Sequence, residues 1–199
     1  MKGSLIVFEG IDNCGKDSMM YLVRNHIQSN TCKVELIPSV TPTDIGRLIR
    51  KDTLDNYSDK DRLVALFIAD FYNKVNMAKE AMSEGKVVLV NRWITSTMAY
   101  CGSITKALAI NSIAGEVLQP DLFIYLNISV EESIKRQAKA AKRKDIYSTT
   151  KFLTDAKCRY ESIIKNEYFN AVEIDAMQNK KFVLADIIDA MIEKGLMDG

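Results

Sequence analysis

Gly10-Ile11-Asp12-Asn13-Cys14-Gly15-Lys16 has the spacing GxxxxGK. That pattern suits phosphate. Glycines let the backbone wrap tightly and turn its N–H groups inward, and a helix starting at the lysine adds positive potential. Lys16 brings a full charge to the outer phosphates. Gly10, Asn13, Cys14, Gly15, Lys16, Asp17 and Ser18 are therefore candidate nucleotide-phosphate contacts. The pattern normally continues with Ser or Thr, whose hydroxyl binds Mg²⁺. Here Asp17 takes that place and Ser18 follows it. The Asp17 carboxylate could repel a triphosphate, coordinate the metal or point away, and both Asp17 and Ser18 are candidate metal contacts. Other chemistries find less support. His26 is the sole histidine and falls inside a predicted helix, which argues against a Ser-His-Asp or Cys-His hydrolase. Cys14, Cys32, Cys101 and Cys158 are widely spaced with no CxxC, so reduced thiols are expected rather than a zinc site.

A phosphate loop has to sit between a buried strand and a helix. Leu5-Ile6-Val7-Phe8 is a continuous apolar run, as suits a strand covered on both faces. A helical stretch follows from about Lys16 to Ser29. Val34 to Ile37 reads as a second strand closed by Pro38, then a short helix from Ile45 to Leu54 and a long one from Asp59 to Ser83. Val87 to Val90 is a third strand. Helical sequence then runs from about Thr95 to Leu118, broken near Gly102. Leu122 to Leu126 is a fourth strand, and helices are predicted over Val130 to Ala141 and Tyr147 to Asn166. Ala171 to Ile174 is a weaker fifth strand, before a closing helix from Lys181 to Lys194. Strands alternating with helices specify a three-layer α/β/α fold with a five-stranded parallel sheet and right-handed crossovers. Ligands then bind outside the carboxyl ends of the strands.

The 199 residues include 27 Lys plus Arg and 26 Asp plus Glu, a formal net charge of +1. No global basic excess favours nucleic acid, so no stable nucleic-acid partner is expected. Apolar residues make up 47%, enough for a core, yet no run approaches the ~20 residues of a bilayer span. The apolar segment after Met1 is short for a signal peptide, so a cytoplasmic location is expected. Without repeats or a Pro/Gly-rich linker, residues 1–199 read as a single domain.

Beyond the loop, the sequence resembles the thymidylate kinase family of nucleoside monophosphate kinases, and does so over nearly its whole length. LIVFEGIDNCGK (Leu5 to Lys16) is close to that family's strand and phosphate loop. Leu66-Phe67-Ile68-Ala69-Asp70 resembles its LF-x-A-[DN] helix segment. VLVNRWITSTMAYCG (Val88 to Gly102) resembles its third-strand signature, and PDLFIYL (Pro120 to Leu126) its fourth strand. The resemblance implies a P-loop nucleoside-triphosphate hydrolase-like fold with a mobile helical lid, about residues 137–150. It also implies transfer of the ATP γ-phosphoryl group to a deoxynucleoside monophosphate, with Mg²⁺, in a homodimer. Arg92 would hold the acceptor's phosphate, a task suited to a planar guanidinium. Asp12 would meet the deoxyribose hydroxyl, and Phe67 would stack on the base. Tyr100 would pack beside sugar and base, Ser96 would lend a polar contact, and Tyr147 sits where the lid returns to the core. Arg136, Lys139, Lys142, Arg143 and Lys144 make a basic stretch that reads either as a solvated helix face or as a lid closing over phosphates. Family members carry a catalytic arginine in the loop or in the lid. Asn13 occupies the loop position, so Arg143 is the first lid candidate and Arg136 is placed near the adenine.

Several positions depart from the family pattern. Asn91 stands where the family has aspartate, and Asp17 could return that charge from the loop. Phe71 replaces an arginine that contacts thymine, and Cys101 stands where bacterial members often carry glutamine. Residues 38–43 lack an expected arginine. These losses touch the acceptor side, where unpaired groups set base choice. The leading expectation is phosphorylation of dTMP to dTDP. The alternatives are dUMP, a modified or different nucleotide, several deoxynucleotides at once, a nucleic-acid 5′ end, or a nucleotide-binding protein that has lost turnover.

Overall fold

The computed structural model describes residues 3–28, 33–55, 59–114, 118–140, 149–165 and 171–197. Five strands, β1 (Ser4–Glu9), β2 (Val34–Ile37), β3 (Val87–Asn91), β4 (Leu122–Asn127) and β5 (Ala171–Asp175), pair in parallel in the order β2-β3-β1-β4-β5. The helices are α1 (Lys16–Gln28), α2 (Asp44–Leu54), α3 (Lys60–Ser83), α4 (Ile94–Tyr100), α5 (Ile104–Ala114), α6 (Val130–Lys139), α7 (Thr150–Ile164) and α8 (Lys180–Glu193).

Alternation along the strands divides the core between two faces. Ile6 and Phe8 pack on one side with Met19, Val23, Leu153, Val183 and Ile187, from α1, α7 and α8. Leu5 and Val7 pack on the other with Phe71, Val75, Ile94, Met98 and Ile110, from α3, α4 and α5. All six residues of β1 are buried, so each alternate side chain finds an apolar layer. The result is the three-layer α/β arrangement expected from the alternating pattern.

The chain leaves β1 toward β2, returns through β3, and then crosses β1 to reach β4. Connections diverging around β1 open a crevice above its carboxyl end. The loops after β1 and β3 both arrive there.

Side chains that cap the first turn set where several helices begin. Thr43, Asp59, Ser129, Thr149 and Asn179 each accept a backbone N–H from the helix that follows. The long helix therefore begins at Lys60, with Asp59 as its cap. α7 begins at Thr150, and the expected start at Tyr147 lies outside the described residues. The break near Gly102 is present: α4 and α5 flank it, and Gly102 has φ 80°, which disfavours other side chains.

Candidate active site

Two cavities open beside the crevice, one of about 740 Å³ and one of about 390 Å³. The larger is lined by residues 12–19, by Arg136 and Lys139 from α6, and by Ala176, Gln178 and Lys180 beyond β5. The smaller is lined by Ile49, Arg50, Phe67, Phe71, Trp93 and Tyr100, among others. Asp12, Ser39 and Arg92 line both.

The loop after β1 has little freedom. Gly10 has φ 136°, and a Cβ there would lie 2.6 Å from the Leu126 carbonyl and 2.8 Å from Cys14 Sγ. Only glycine fits such a backbone. Asn13 has φ 60°, a conformation that asparagine tolerates better than most residues. Lys16 is buried and donates from Nζ to the carbonyls of Gly10 and Ile11, each at 2.9 Å. Burial, and then the nearby Arg92 charge, pull its pKa below the ordinary lysine value. Ser133 Oγ on α6 donates to the Asp12 carbonyl at 2.7 Å, tying the loop to the far side of the crevice.

Arg92 follows β3 with φ 67°. Such a conformation costs a non-glycine residue on the order of 1–3 kcal/mol and persists only where its surroundings impose it. They do so from three directions. Arg92 N donates to the Phe8 carbonyl at 3.0 Å. Lys74 Nζ, a buried group reaching from α3, donates to the Asn91 and Arg92 carbonyls at 3.2 and 3.0 Å. The guanidinium donates to Gly10 O, Ser96 Oγ and Tyr160 OH, each at 3.2 Å, and to Asp12 Oδ1. Burial opposes the Arg92 charge, but Tyr100, Asp12, Tyr160 and Glu9 more than offset this and raise its pKa. Burial also lowers the Lys74 pKa to about 8, against the opposing pull of Asp70 and Glu9.

Glu9 ends β1 and is 2% exposed. Its carboxylate accepts from Trp93 N at 2.7 Å, from Tyr160 OH at 2.8 Å, from Ser96 Oγ at 2.6 Å and from Thr95 Oγ1. One buried carboxylate thereby anchors the start of α4 and the interior of α7. The segment after β2 is held similarly. Asp70 accepts from Thr41 N at 3.1 Å and from Thr41 Oγ1, while Arg50 donates to the Val40 and Thr41 carbonyls at 3.0 and 2.9 Å.

The remaining candidates fall on two sides. Phe67 is half-buried and lines the smaller cavity. Phe71 lines it from the core and meets Trp93 edge-on at 4.8 Å between centroids. Tyr100 OH accepts from Asp12 N at 3.2 Å, and its ring lies 5.1 Å from the Arg92 guanidinium. Cys101 does not line this cavity. Its thiol instead faces the Met98 and Ser103 carbonyls within the α4–α5 turn. Around the larger cavity, Arg136 donates to Glu132, to the Cys14 carbonyl at 3.3 Å and to the Ala176 carbonyl at 2.8 Å. Ser18 and Asp17 are exposed on its wall, and Asp17 accepts the Asn91 amide at 2.6 Å. Arg143 and Tyr147 lie outside the described residues.

Among the described residues, no three His, Cys, Asp or Glu side chains form a metal cage. The wall still fits a hard divalent cation that shares its ligands with phosphate oxygens and water. It offers an exposed carboxylate, and Asn91 Oδ1 is a buried acceptor without a hydrogen-bond partner.

Sequence reasoning missed Glu9, Arg50, Asp70, Lys74 and Tyr160. Glu9 carried a signal, since a lone acid closing a buried apolar strand needs donors. Arg50 also carried one, because it lies on the helix that follows the arginine-free 38–43 segment.

A profile described as Thymidylate kinase matches residues 8–187. A thymidylate kinase of Thermoanaerobacter sp. (strain X514) is 29% identical, with 96% of this chain and 98% of the relative covered. A probable thymidylate kinase of Methanobrevibacter smithii is 32% identical over 94% of this chain and 93% of its own length. A thymidylate kinase of Caldicellulosiruptor saccharolyticus is 34% identical over 71% and 73%. The match spans the phosphate loop and the residues that line both cavities, and the chain belongs to the thymidylate kinase family.

Proposed function

We propose that the protein transfers the γ-phosphoryl group of ATP to dTMP, giving ADP and dTDP. The observation that carries this reading is the wall shared by the two cavities, where Asp12 and Arg92 face both. A donor in one cavity and an acceptor in the other would meet there. Phosphoryl transfer asks mainly for such positioning and for neutralisation of charge.

In this reading Lys16 and the loop amides hold the donor's phosphates, and Arg136 with residues 176–180 receives the adenine. Arg92 holds the acceptor's phosphate, with Arg50 close by in the same cavity. Asp12 accepts the sugar hydroxyl, Phe67 and Tyr100 enclose the base and sugar, and Ser96 keeps Arg92 in place. A bound Mg²⁺ would neutralise charge on the phosphates, near Asp17 and Ser18. The basic stretch with Arg143 and Tyr147 belongs to a lid over about residues 137–150, within a single domain. Homodimerisation, a cytoplasmic location and the absence of a stable nucleic-acid partner complete the proposal. The near-balanced charge supports the last of these, and sedimentation tests the first.

Coupled ADP release with ATP, Mg²⁺ and dTMP tests the reaction, with Lys16→Ala as control. Turnover on dTMP that vanishes in the control is the expected result. ATP binding without turnover on dTMP or another deoxynucleotide would overturn it.

A further inference from the structure

Asp17 sits in the first turn of α1, directly after Lys16, and is exposed on the wall of the larger cavity. A fixed carboxylate is out of place there. The loop gathers N–H groups and a lysine suited to anions, and a polyphosphate entering it would meet a like charge. The helix N-terminus favours the carboxylate itself but does nothing to relieve that repulsion. Two of the cations on this wall are already engaged, Lys16 by the Gly10 and Ile11 carbonyls and Arg92 by Asp12.

Asn91 supplies the second observation. It closes β3, is 3% exposed, and donates its amide to Asp17 Oδ1 at 2.6 Å from 74 residues away in sequence. That bond occupies one Asp17 oxygen and restrains the carboxylate. Asn91 lines the same cavity, and its own Oδ1 is buried without a hydrogen-bond partner. An acceptor left unmatched in a buried position points to a missing donor, and the water shell of a cation consists of donors.

We infer that Asp17 is the carboxylate that holds the nucleotide's divalent cation, and that Asn91 is its positioning residue. The inference rests on the larger cavity being the ATP site. A carboxylate placed on the loop makes phosphate binding conditional: repulsive to the bare nucleotide, attractive once a divalent cation stands between. Asn91 adds direction without adding a second negative charge.

The test is equilibrium binding of a fluorescent ATP analogue, measured in EDTA and again in Mg²⁺, for the native chain and two variants. The native chain should bind weakly in EDTA, and Mg²⁺ should tighten binding by on the order of tenfold or more. Asp17→Asn should bind more tightly than native in EDTA and lose most of the gain from Mg²⁺. Asn91→Ala should stay weak in EDTA, because the carboxylate remains, and should show a reduced gain. The rise in metal-free affinity is a change that a merely structural Asp17 would not produce. Equal Mg²⁺ gains in native and Asp17→Asn would overturn the inference and leave the ATP reading standing. Weaker binding by Asp17→Asn in EDTA would also overturn it. No binding by the native chain in either condition would overturn both.

Discussion

The Arg92 guanidinium donates to the Asp12 carboxylate across 80 residues of sequence, on the wall common to both cavities. Each partner restrains the other at the place where phosphoryl transfer is proposed. Arg92→Lys keeps the charge but loses the planar fork and most of its four contacts. Steady-state kinetics should show kcat/KM falling by on the order of 100-fold or more. Asp12→Asn should act mainly on the acceptor, raising the KM for dTMP more than the KM for ATP.

Glu9 accepts from four groups, one backbone N–H and three hydroxyls, and an amide offers one accepting oxygen where the carboxylate offers two. Glu9→Gln leaves one accepting oxygen in place of two and makes the hydroxyls beside its N–H₂ give up donating and accept instead. Urea unfolding should register a loss of about 2–4 kcal/mol. An unchanged midpoint would mean that the network adds nothing to stability.

Lys74 carries a pH signature. Burial lowers its folded pKa to about 8 from an ordinary value of 10.5. Between these values the unfolded chain binds the proton that the folded chain has released, so stability gains with rising pH. Below pH 8 both states are protonated and the full cost of burying the charge applies. The contribution therefore rises from about pH 8 to 10.5, with a slope of up to ~1.4 kcal/mol per pH unit. The stability–pH curve of the native chain minus that of Lys74→Met should show this rise. A flat difference would count against a charge-burial cost at this site.

Phe71 and Phe67 line one cavity from different depths. Phe71 is 3% exposed and packs on Trp93, while Phe67 is only half-buried. Phe71→Ala should cost about 3–5 kcal/mol in denaturant unfolding, as for other buried aromatics. Phe67→Ala should cost much less stability and instead raise the KM for dTMP. Equal stability losses would place Phe67 in the core rather than at the ligand.

The alternation of apolar strands with helices made the layer order legible, because β1, β3 and β4 read as continuous buried runs. GxxxxGK located the loop, because its spacing is local. The loop's surroundings are not local. Glu9 gathers donors from α4 and α7, and Lys74 reaches the Arg92 backbone from α3. No periodicity encodes such long-range partners. The replacement of an arginine by Phe71 was visible in the residues, but its edge-on contact with Trp93 came only with the packing. The starts of α2, α3 and α8 moved by one residue because single capping side chains, not propensity, decide them.

The register of β1 on β3 has a metrical consequence. Phe8 pairs with Asn91, and the next backbone bond joins Arg92 N to the same Phe8. The loop that begins at Gly10 and the arginine facing it thus hang from neighbouring strands, spaced by the ~4.8 Å of a hydrogen-bonded sheet. The sheet is a ruler for the reaction. A slip of one residue would displace Arg92 by ~3.3 Å and turn alternate side chains to the opposite face. Substitutions that loosen this pair of strands should therefore spoil the alignment of donor and acceptor before they unfold the chain.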